Sequence, residues 1–163
     1  MKTVVRQILL SKRLLSPPVV IMTSSSVPVP FVVSASSEFS ASYPAWGAYD
    51  GSSVDTGGVG VWASAQSLPA SITIDYGATY LFSKVEITNR NLVDIAQAPN
   101  TFDLQSSSGG VIFTTFASYA GQTWTGNEMK TFTFSPIATR YLRINVLTVN
   151  GSTLAAVTLI NWK

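Results

Sequence analysis

The sequence predicts an all-β domain, an antiparallel sandwich or jelly roll, that follows an extended N-terminal arm. Apolar and polar residues alternate with a period of two in several segments, which is the pattern of half-buried strands. Residues typical of turns separate those segments. Only 11% of the 163 residues are charged and 46% are hydrophobic, which argues against a bundle of long solvated helices. The length allows one such domain with about thirty residues to spare.

The first 31 residues differ from the rest of the chain in charge and in proline content. Four basic residues and no acid lie within the first thirteen positions, whereas the remaining chain holds six bases against eight acids. Residues 2–15 could form a short basic amphipathic helix, and residues 16–31, with four prolines, predict an extended connector. The basic residues interrupt the apolar run that a secretory signal needs, and the apolar run at 19–22 is too short to span a membrane.

We expect residues 1–31 to dock onto another subunit and residues 32–163 to form the sandwich. An apolar arm becomes ordered when it buries surface on a partner. The alternative, which the sequence leaves open, is that the arm folds back onto its own domain. Because the surplus of basic residues belongs to the arm, the body is not expected to bind nucleic acid.

The strand pattern begins near Val32 and continues to the end of the chain. In residues 71–75, Ile72 and Ile74 alternate with polar neighbours. The same alternation or a short apolar run marks the other predicted strands, at residues 84–88, 101–105, 111–113, 131–134, 140–146 and 154–162. Turn sequences lie between them, at Tyr76-Gly77, Ser108-Gly109-Gly110, Ser135-Pro136 and Asn150-Gly151. Seven or eight short antiparallel strands with few helices make a sandwich or a jelly roll.

The residue types exclude most catalytic machinery. The chain has no Cys and no His, so it has no thiolate nucleophile, no imidazole base and no zinc site of the usual kind. Of the eight carboxylates, Asp75, Glu86 and Asp103 fall on outward strand positions, and no two stand out as a matched acid and base. We therefore predict no catalytic residues and no enzymatic activity.

Seven short motifs are spread over the predicted sandwich. They are Ser34-Ala35-Ser36-Ser37, Ala48-Tyr49-Asp50-Gly51, Trp62, Ile72-Thr73-Ile74-Asp75-Tyr76-Gly77, Val85-Glu86-Ile87-Thr88-Asn89-Arg90, Phe102-Asp103-Leu104-Gln105-Ser106-Ser107 and Arg140-Tyr141-Leu142-Arg143-Ile144. In this order and spacing they resemble the discoidin, or coagulation-factor C-type, domain over about residues 32–162. The resemblance implies an eight-stranded jelly-roll β-sandwich that is generally not catalytic. It also implies that loops at one end bind glycans, lipid head groups or proteins, as in many carbohydrate-binding modules.

The same resemblance implies a structural calcium in the loop that contains the Ala-Tyr-Asp-Gly motif. Asp50, Asp55 and Thr56 could supply ligands, but Ala156 stands where the family's C-terminal Glu is expected. A hard cation prefers about six to eight oxygens that include charged ones, so calcium is doubtful here. The alternative is that Asp50-Gly51 is only a turn dipeptide. We expect no other cofactor.

Aromatic and polar loop residues are the expected sugar contacts, since sugar rings stack on aromatic faces and their hydroxyls need polar partners. The predicted ligand-binding residues are Tyr43 and Trp46 in the first loop, Arg90 and Asn91 directly after a strand, and Trp124 in a later loop. Each class has a structural alternative: Arg90 could form an ordinary loop salt bridge, and Trp46 and Trp124 could cap the end of the sandwich. Trp62 and Trp162 are expected in the core.

Two arginines near the C-terminus, Arg140 and Arg143, are expected to be structural. Their separation of three positions predicts opposite faces of one strand. One of them is expected to pack beside an acid such as Asp75, and the other to be solvated.

Three functions remain open. The first is a non-catalytic structural or adhesive subunit of a large assembly, a bacteriophage virion protein of the capsid or tail, which residues 1–31 anchor and which displays a domain able to meet a cell-surface glycan. The second is a secreted, extracellular carbohydrate-binding module, and the third is an intracellular protein-binding module. We predict the first, located in the virion, because the chain begins with Met1, shows no export signal and lacks Cys and His. A homo-oligomer is compatible with this prediction.

Overall fold

The strands form where apolar side chains alternate with polar ones, because one face of each strand can then be buried. The computed structural model describes residues 15–163. The strands are β1 (Val32–Ala35), β2 (Trp62–Ala63), β3 (Ala70–Thr88), β4 (Pro99–Ser107), β5 (Thr114–Tyr119), β6 (Met129–Val149), β7 (Ala156–Val157) and β8 (Leu159–Trp162). Short 3₁₀ turns lie at Ala45–Tyr49, Gly58–Gly60 and Ile95–Gln97. Among residues 15–163, the structure contains no helix that could span a lipid bilayer.

Every pair of neighbouring strands is antiparallel. Five strands lie side by side in the order β1-β3-β6-β4-β5, and β8 pairs with the second half of β3. The short strands β2 and β7 form a separate two-stranded ribbon. The first half of β3 pairs with β1 and with the second half of β6, whereas its second half pairs with the first half of β6 and with β8.

β3 and β6 are long because each passes from one layer of the sandwich to the other. Val146 of β6 pairs with Phe102 of β4, yet Phe132 of β6 also contacts Phe102, with ring centroids 5.0 Å apart. In a straight strand, the chain from Phe132 to Val146 would span about 46 Å. β6 must therefore fold over, and a register shift in β3 between Asp75 and Tyr80 marks the corresponding bend. The predicted all-β antiparallel sandwich is confirmed.

The core lies between the two layers. Buried aliphatic and aromatic side chains of β3, β4, β6 and β8 meet there. The largest fully buried side chains include Trp62, Trp162, Tyr49, Tyr76, Phe82 and Phe102. The predicted core positions of Trp62 and Trp162 are confirmed. Both indole N–H groups also have a hydrogen-bond acceptor: Trp62 Nε1 donates to Ser37 O (3.2 Å) and Trp162 Nε1 donates to the Tyr49 hydroxyl (3.3 Å).

The described part of the predicted arm lies against its own sandwich. Met22 is buried and its backbone N–H donates to Tyr49 O (2.7 Å), while Leu15 O accepts from the Leu81 N–H (3.2 Å). Residues 15–22 form neither helix nor strand, and turns follow within residues 23–30, so the extended connector over residues 16–31 stays a prediction. The predicted amphipathic helix over residues 2–15 lies, apart from Leu15, outside the described residues. The connector is therefore part of the packed body, because Met22 gains more burial there than in a free arm.

Candidate functional site

The loops at one end of the sandwich meet and hydrogen-bond to one another. They connect β1 to β2 (residues 36–61), β3 to β4 (residues 89–98), β5 to β6 (residues 120–128) and β6 to β7 (residues 150–155). Asn89, which is fully buried, holds two of them together: its Nδ2 donates to Thr125 O (2.9 Å) and its Oδ1 accepts from the Glu128 N–H (2.7 Å). The Ser152 N–H donates to Ala96 O (3.1 Å), and this bond joins the β6–β7 loop to the β3–β4 loop.

Arg90 stands at the centre of these loops. It follows β3 directly, and only 7% of the residue is exposed. Its Nε donates to Asp55 Oδ2 (3.0 Å), its Nη2 lies 2.9 Å from Asp94 Oδ2, and its Nη1 donates to Gln97 Oε1 (3.0 Å). The guanidinium also lies 5.6 Å from the centre of the Tyr43 ring. The salt-bridge alternative for Arg90 is thus present, and its role in ligand contact stays a prediction.

Asp55 is the buried partner of Arg90. Its side chain is fully buried, and its oxygens also accept from the Asn91 and Gly57 backbone N–H groups (3.1 and 2.8 Å). Burial works against ionisation of this carboxyl, but the hydrogen bonds from Arg90, Asn91 and Gly57 together hold its pKa below the usual range. The Asp55–Arg90 pair therefore fixes the loop after β1 to the loop after β3.

A cleft opens beside Arg90, with a volume of about 190 Å³. We call it the loop cleft, and it is lined by Phe39, Tyr43, Ala63, Arg90, Asp94, Gln97 and Leu154. The rings of Phe39 and Tyr43 meet edge to face with centroids 6.0 Å apart and form an aromatic wall. Arg90, Asp94 and Gln97 form a polar wall. An aromatic wall beside several hydrogen-bonding groups is the combination that a sugar ring requires.

The structure brings two of the five predicted ligand-binding residues, Tyr43 and Arg90, to this cleft. Asn91 does not line it, and its Oδ1 accepts from the Val93 and Asp94 backbone N–H groups (3.0 and 3.2 Å). Sequence reasoning missed Phe39, Asp94 and Gln97. Asp94 and Gln97 follow Arg90 by four and seven positions, so their place in the same loop was the available signal.

Trp46 and Trp124 lie outside the cleft. Trp46 is half-buried and packs against the core. Trp124 is only 8% exposed, and its Nε1 donates to Pro99 O (2.7 Å). The Lys130 ammonium lies 4.9 Å from the centre of the Trp124 ring. Trp124 thus caps the end of the sandwich, since the core needs an apolar cover there, and this was the alternative considered for it.

The residues considered for calcium do not supply the charged oxygens that this ion prefers. Asp55 is already bound to Arg90, and Ala156 is buried in the β2–β7 ribbon. Asp50 Oδ1 accepts from the Ser52 N–H (2.7 Å), and burial raises the pKa of this carboxyl. Thr56 could add one neutral oxygen. No three acidic side chains cluster anywhere in residues 15–163. These residues do not fit the calcium site that the family resemblance implied, and we derive no role for the ion.

The F5/8 type C domain family matches residues 32–159, and the chain belongs to that family. The resemblance to the discoidin, or coagulation-factor C-type, domain is confirmed. No curated protein matches the chain.

Solved structures with the same fold include carbohydrate-binding modules from two bacterial sources. A CBM32 module from Clostridium perfringens, solved with GalNAc-β-1,3-galactose, has a TM-score of 0.68 at 21% identity. The match covers 81% of this chain and 94% of the module. The family 32 module of NanJ from C. perfringens, solved with galactose, has a TM-score of 0.62 at 24% identity, with coverages of 81% and 92%. Chitosan-binding module 1 of a Paenibacillus sp. IK-5 chitosanase/glucanase has a TM-score of 0.65 at 22% identity, with coverages of 81% and 93%. These similarities establish the jelly-roll fold.

Proposed function

We propose that this domain is a non-catalytic carbohydrate-binding module that takes a neutral sugar in the loop cleft. The observation that carries the proposal is the pairing of the Phe39–Tyr43 aromatic wall with the polar wall formed by Arg90, Asp94 and Gln97. Membership of the F5/8 type C family supports it, and so do the galactose-containing ligands of two modules that share the fold.

The aromatic wall offers the contact surface for the sugar ring. Phe39 is 50% exposed, so much of its ring is open to a ligand. The C–H groups on one face of a sugar ring are apolar and can cover this ring. Binding would therefore remove apolar surface of Phe39 from water, which favours the complex.

The polar wall offers the groups that orient the sugar hydroxyls. Asp94 keeps 29% of its side chain exposed while it pairs with Arg90, so its carboxylate can also accept from a ligand hydroxyl. Arg90 and Gln97 are held in place by their mutual hydrogen bond of 3.0 Å. Fixed donors and acceptors lose little side-chain entropy on binding.

The charges of the cleft favour a neutral sugar over an acidic one. One positive group, Arg90, faces two carboxylates, those of Asp55 and Asp94. The local formal charge is therefore negative, and a ligand carboxylate would be repelled. Galactose and N-acetylgalactosamine are neutral and are the first ligands to test.

The experiment is a titration of galactose and N-acetylgalactosamine into the protein, followed by calorimetry or NMR. Phe39→Ala should weaken binding about fivefold to tenfold, since an aromatic contact of this kind is worth about 1 kcal/mol. Val54→Ala is the matched control, because Val54 lies in the same loop, is 60% exposed and does not line the cleft. Trp124→Phe should also leave the affinity unchanged.

Two results would contradict the proposal. The first is an absence of binding to any member of a panel of neutral glycans. The second is binding that Trp124→Phe weakens and Phe39→Ala leaves intact, which would return the site to the sequence-based prediction of Trp124 as a sugar contact.

Attachment to a larger assembly, a virion included, is a separate part of the proposal. The described part of the arm, residues 15–31, is bound to its own sandwich, so attachment would use residues 1–14 or exposed apolar side chains such as Val19 and Ile21, which are 74% and 55% exposed. The family match and the loop cleft favour carbohydrate binding as the main function. We accordingly propose that the domain is extracellular or lies on the surface of a particle, where it can bind glycans.

A further inference from the structure

We infer that the outer face of the five-stranded layer carries a second binding site, built around Arg143, for the carboxylate of an acidic saccharide. The site shares no lining residue with the loop cleft. It goes beyond the proposed neutral-sugar function and does not depend on it.

Arg143 lies in the middle of a row of polar residues that crosses this layer. It is paired across the sheet with Thr73 of β3 on one side and Gln105 of β4 on the other. Ser34 of β1 pairs with Thr73 and extends the row to the edge strand. Because its neighbours Leu142 and Ile144 are buried in the core, Arg143 faces outward.

Arg143 is the basic side chain without an acidic partner in residues 15–163. The other five basic residues in this range each lie within salt-bridge distance of a carboxylate, namely Lys84, Arg90, Lys130, Arg140 and Lys163. Arg143 instead donates from Nε to the Thr73 hydroxyl (2.9 Å) and stacks on Phe113, with its guanidinium carbon 3.5 Å from the ring centre. It is half-buried, and burial lowers its pKa. A partly buried charge without a counter-charge is well placed to gain from an anionic ligand.

A groove of about 180 Å³ opens beside this guanidinium. We call it the Arg143 groove, and it is lined by Val32, Ser34, Thr73, Asp75, Gly110, Tyr141 and Arg143. Gly110 forms its wall in a backbone conformation that suits glycine, with φ of 76°. A Cβ at this position would lie 2.8 Å from the Tyr141 ring, so the wall can approach Tyr141 only because residue 110 is glycine.

The lining selects for a ligand with both a carboxylate and hydroxyls. Asp75 is neutralised by Arg140, whose Nε and Nη2 each donate to it at 2.7 Å, so the groove carries the net positive charge of Arg143. The hydroxyls of Ser34, Thr73 and Tyr141 suit the ring hydroxyls of a sugar. The volume is below the roughly 300–1,000 Å³ of pockets for drug-sized ligands, which indicates one sugar ring.

The test is an NMR titration of the isotope-labelled full chain with glucuronate, galacturonate and N-acetylneuraminate. Glucose, galactose and acetate serve as comparison ligands. We expect at least one acidic sugar to shift the backbone amide signals of Ser34, Thr73 and Arg143, with little change in the loop cleft. Glucose and galactose should leave these three signals in place, and acetate should bind more weakly than the acidic sugar.

Arg143→Gln should lower the affinity for the acidic sugar about tenfold to a hundredfold, as expected for the loss of a charge-assisted hydrogen bond. Lys84→Gln is the matched control, since it removes the same charge from an exposed position and leaves Glu86 paired with Lys163. A thermal melt of each variant separates lost binding from lost folding. The chemical-shift changes of the wild-type protein test the position of the site even where a variant does not fold.

Three outcomes would overturn the proposal. They are no shift in this face with any of the three acidic sugars, an equal loss of affinity in Arg143→Gln and Lys84→Gln, and binding of acetate that matches that of the acidic sugars. The last result would mean that the hydroxyl lining contributes nothing, and that the groove recognises a bare carboxylate.

Discussion

Two arginines, Arg90 in the loop cleft and Arg143 on the outer sheet face, meet very different surroundings in one small domain. Arg90 is 7% exposed and touches two carboxylates and an amide. Arg143 is half-buried, stacks on an aromatic ring and has one hydroxyl as its polar partner. The first arginine organises loops, whereas the second keeps its charge available.

The partners of a buried charge decide what that charge can do. A guanidinium that is fully paired stabilises the loops around it and leaves a cleft whose net charge is negative. A guanidinium that is unpaired retains a positive field and can attract an anion. The same side chain therefore favours a neutral ligand at one site and an acidic ligand at the other.

The largest expected effect is the loss of Arg90. Arg90→Met leaves the fully buried Asp55 carboxylate without its charged partner, and breaking such a buried pair costs about 3–5 kcal/mol. We expect a corresponding fall in the free energy of unfolding, measured in urea or by thermal melting. If Arg90→Met unfolds like the wild-type protein, Arg90 does not hold the loops together and the contrast with Arg143 fails.

Acid unfolding reports on the carboxylates that pair with Arg90 and Arg140. The pKa of Asp55 is held below its usual range, so the folded state gains stability above the unfolded-state pKa of about 3.9 and loses it as the pH falls toward the lower folded-state value. Asp55→Asn should therefore flatten the decline of unfolding free energy in acid. Asp75 also has a lowered pKa, but its partner Arg140 is 41% exposed, so Asp75→Asn should flatten the decline less.

Asp50 provides the control of opposite sign for this measurement. Burial raises its pKa, so protonation of Asp50 adds stability as the pH falls. Asp50→Asn should make the decline in acid steeper. Equal slopes for the Asp55 and Asp50 variants would contradict the environments that the structure gives these two carboxyls.

Most strands were predictable from the sequence, but their lengths were not, and the strand predicted at residues 111–113 is wrong, because β5 begins at Thr114. Alternation at residues 71–75 and 140–146 predicts parts of β3 and β6 correctly, because a half-buried strand has a period of two. It does not reveal that β3 runs from Ala70 to Thr88, since the bend after Asp75 depends on contacts with β6 and not on local residue preferences.

The residue types of the candidate site in the loop cleft were predictable from the sequence, but their positions relative to one another were predictable only in part. Arg90 and Tyr43 could be named because loop-end arginines and loop aromatics suit sugar binding. Phe39 could not, since its place depends on how the loop after β1 lies against β2, where the Phe39 N–H donates to Ala63 O (2.7 Å). One of Arg140 and Arg143 was expected beside an acid such as Asp75, and Arg140 forms that pair. The other was expected to be solvated, whereas Arg143 is half-buried because its guanidinium stacks on Phe113.

The smallest expected effect is the loss of the Arg143 charge on stability. Arg143→Met keeps an unbranched side chain for packing against Phe113 and leaves no carboxylate unpaired. The free energy of unfolding should change by less than about 0.5 kcal/mol, because the variant breaks only the hydrogen bond to Thr73 and relieves a partly buried charge. A loss similar to that of Arg90→Met would show that Arg143 serves the fold, and the division of labour between the two arginines would not hold. A near-zero change together with lost binding of acidic sugars would show that Arg143 serves the ligand.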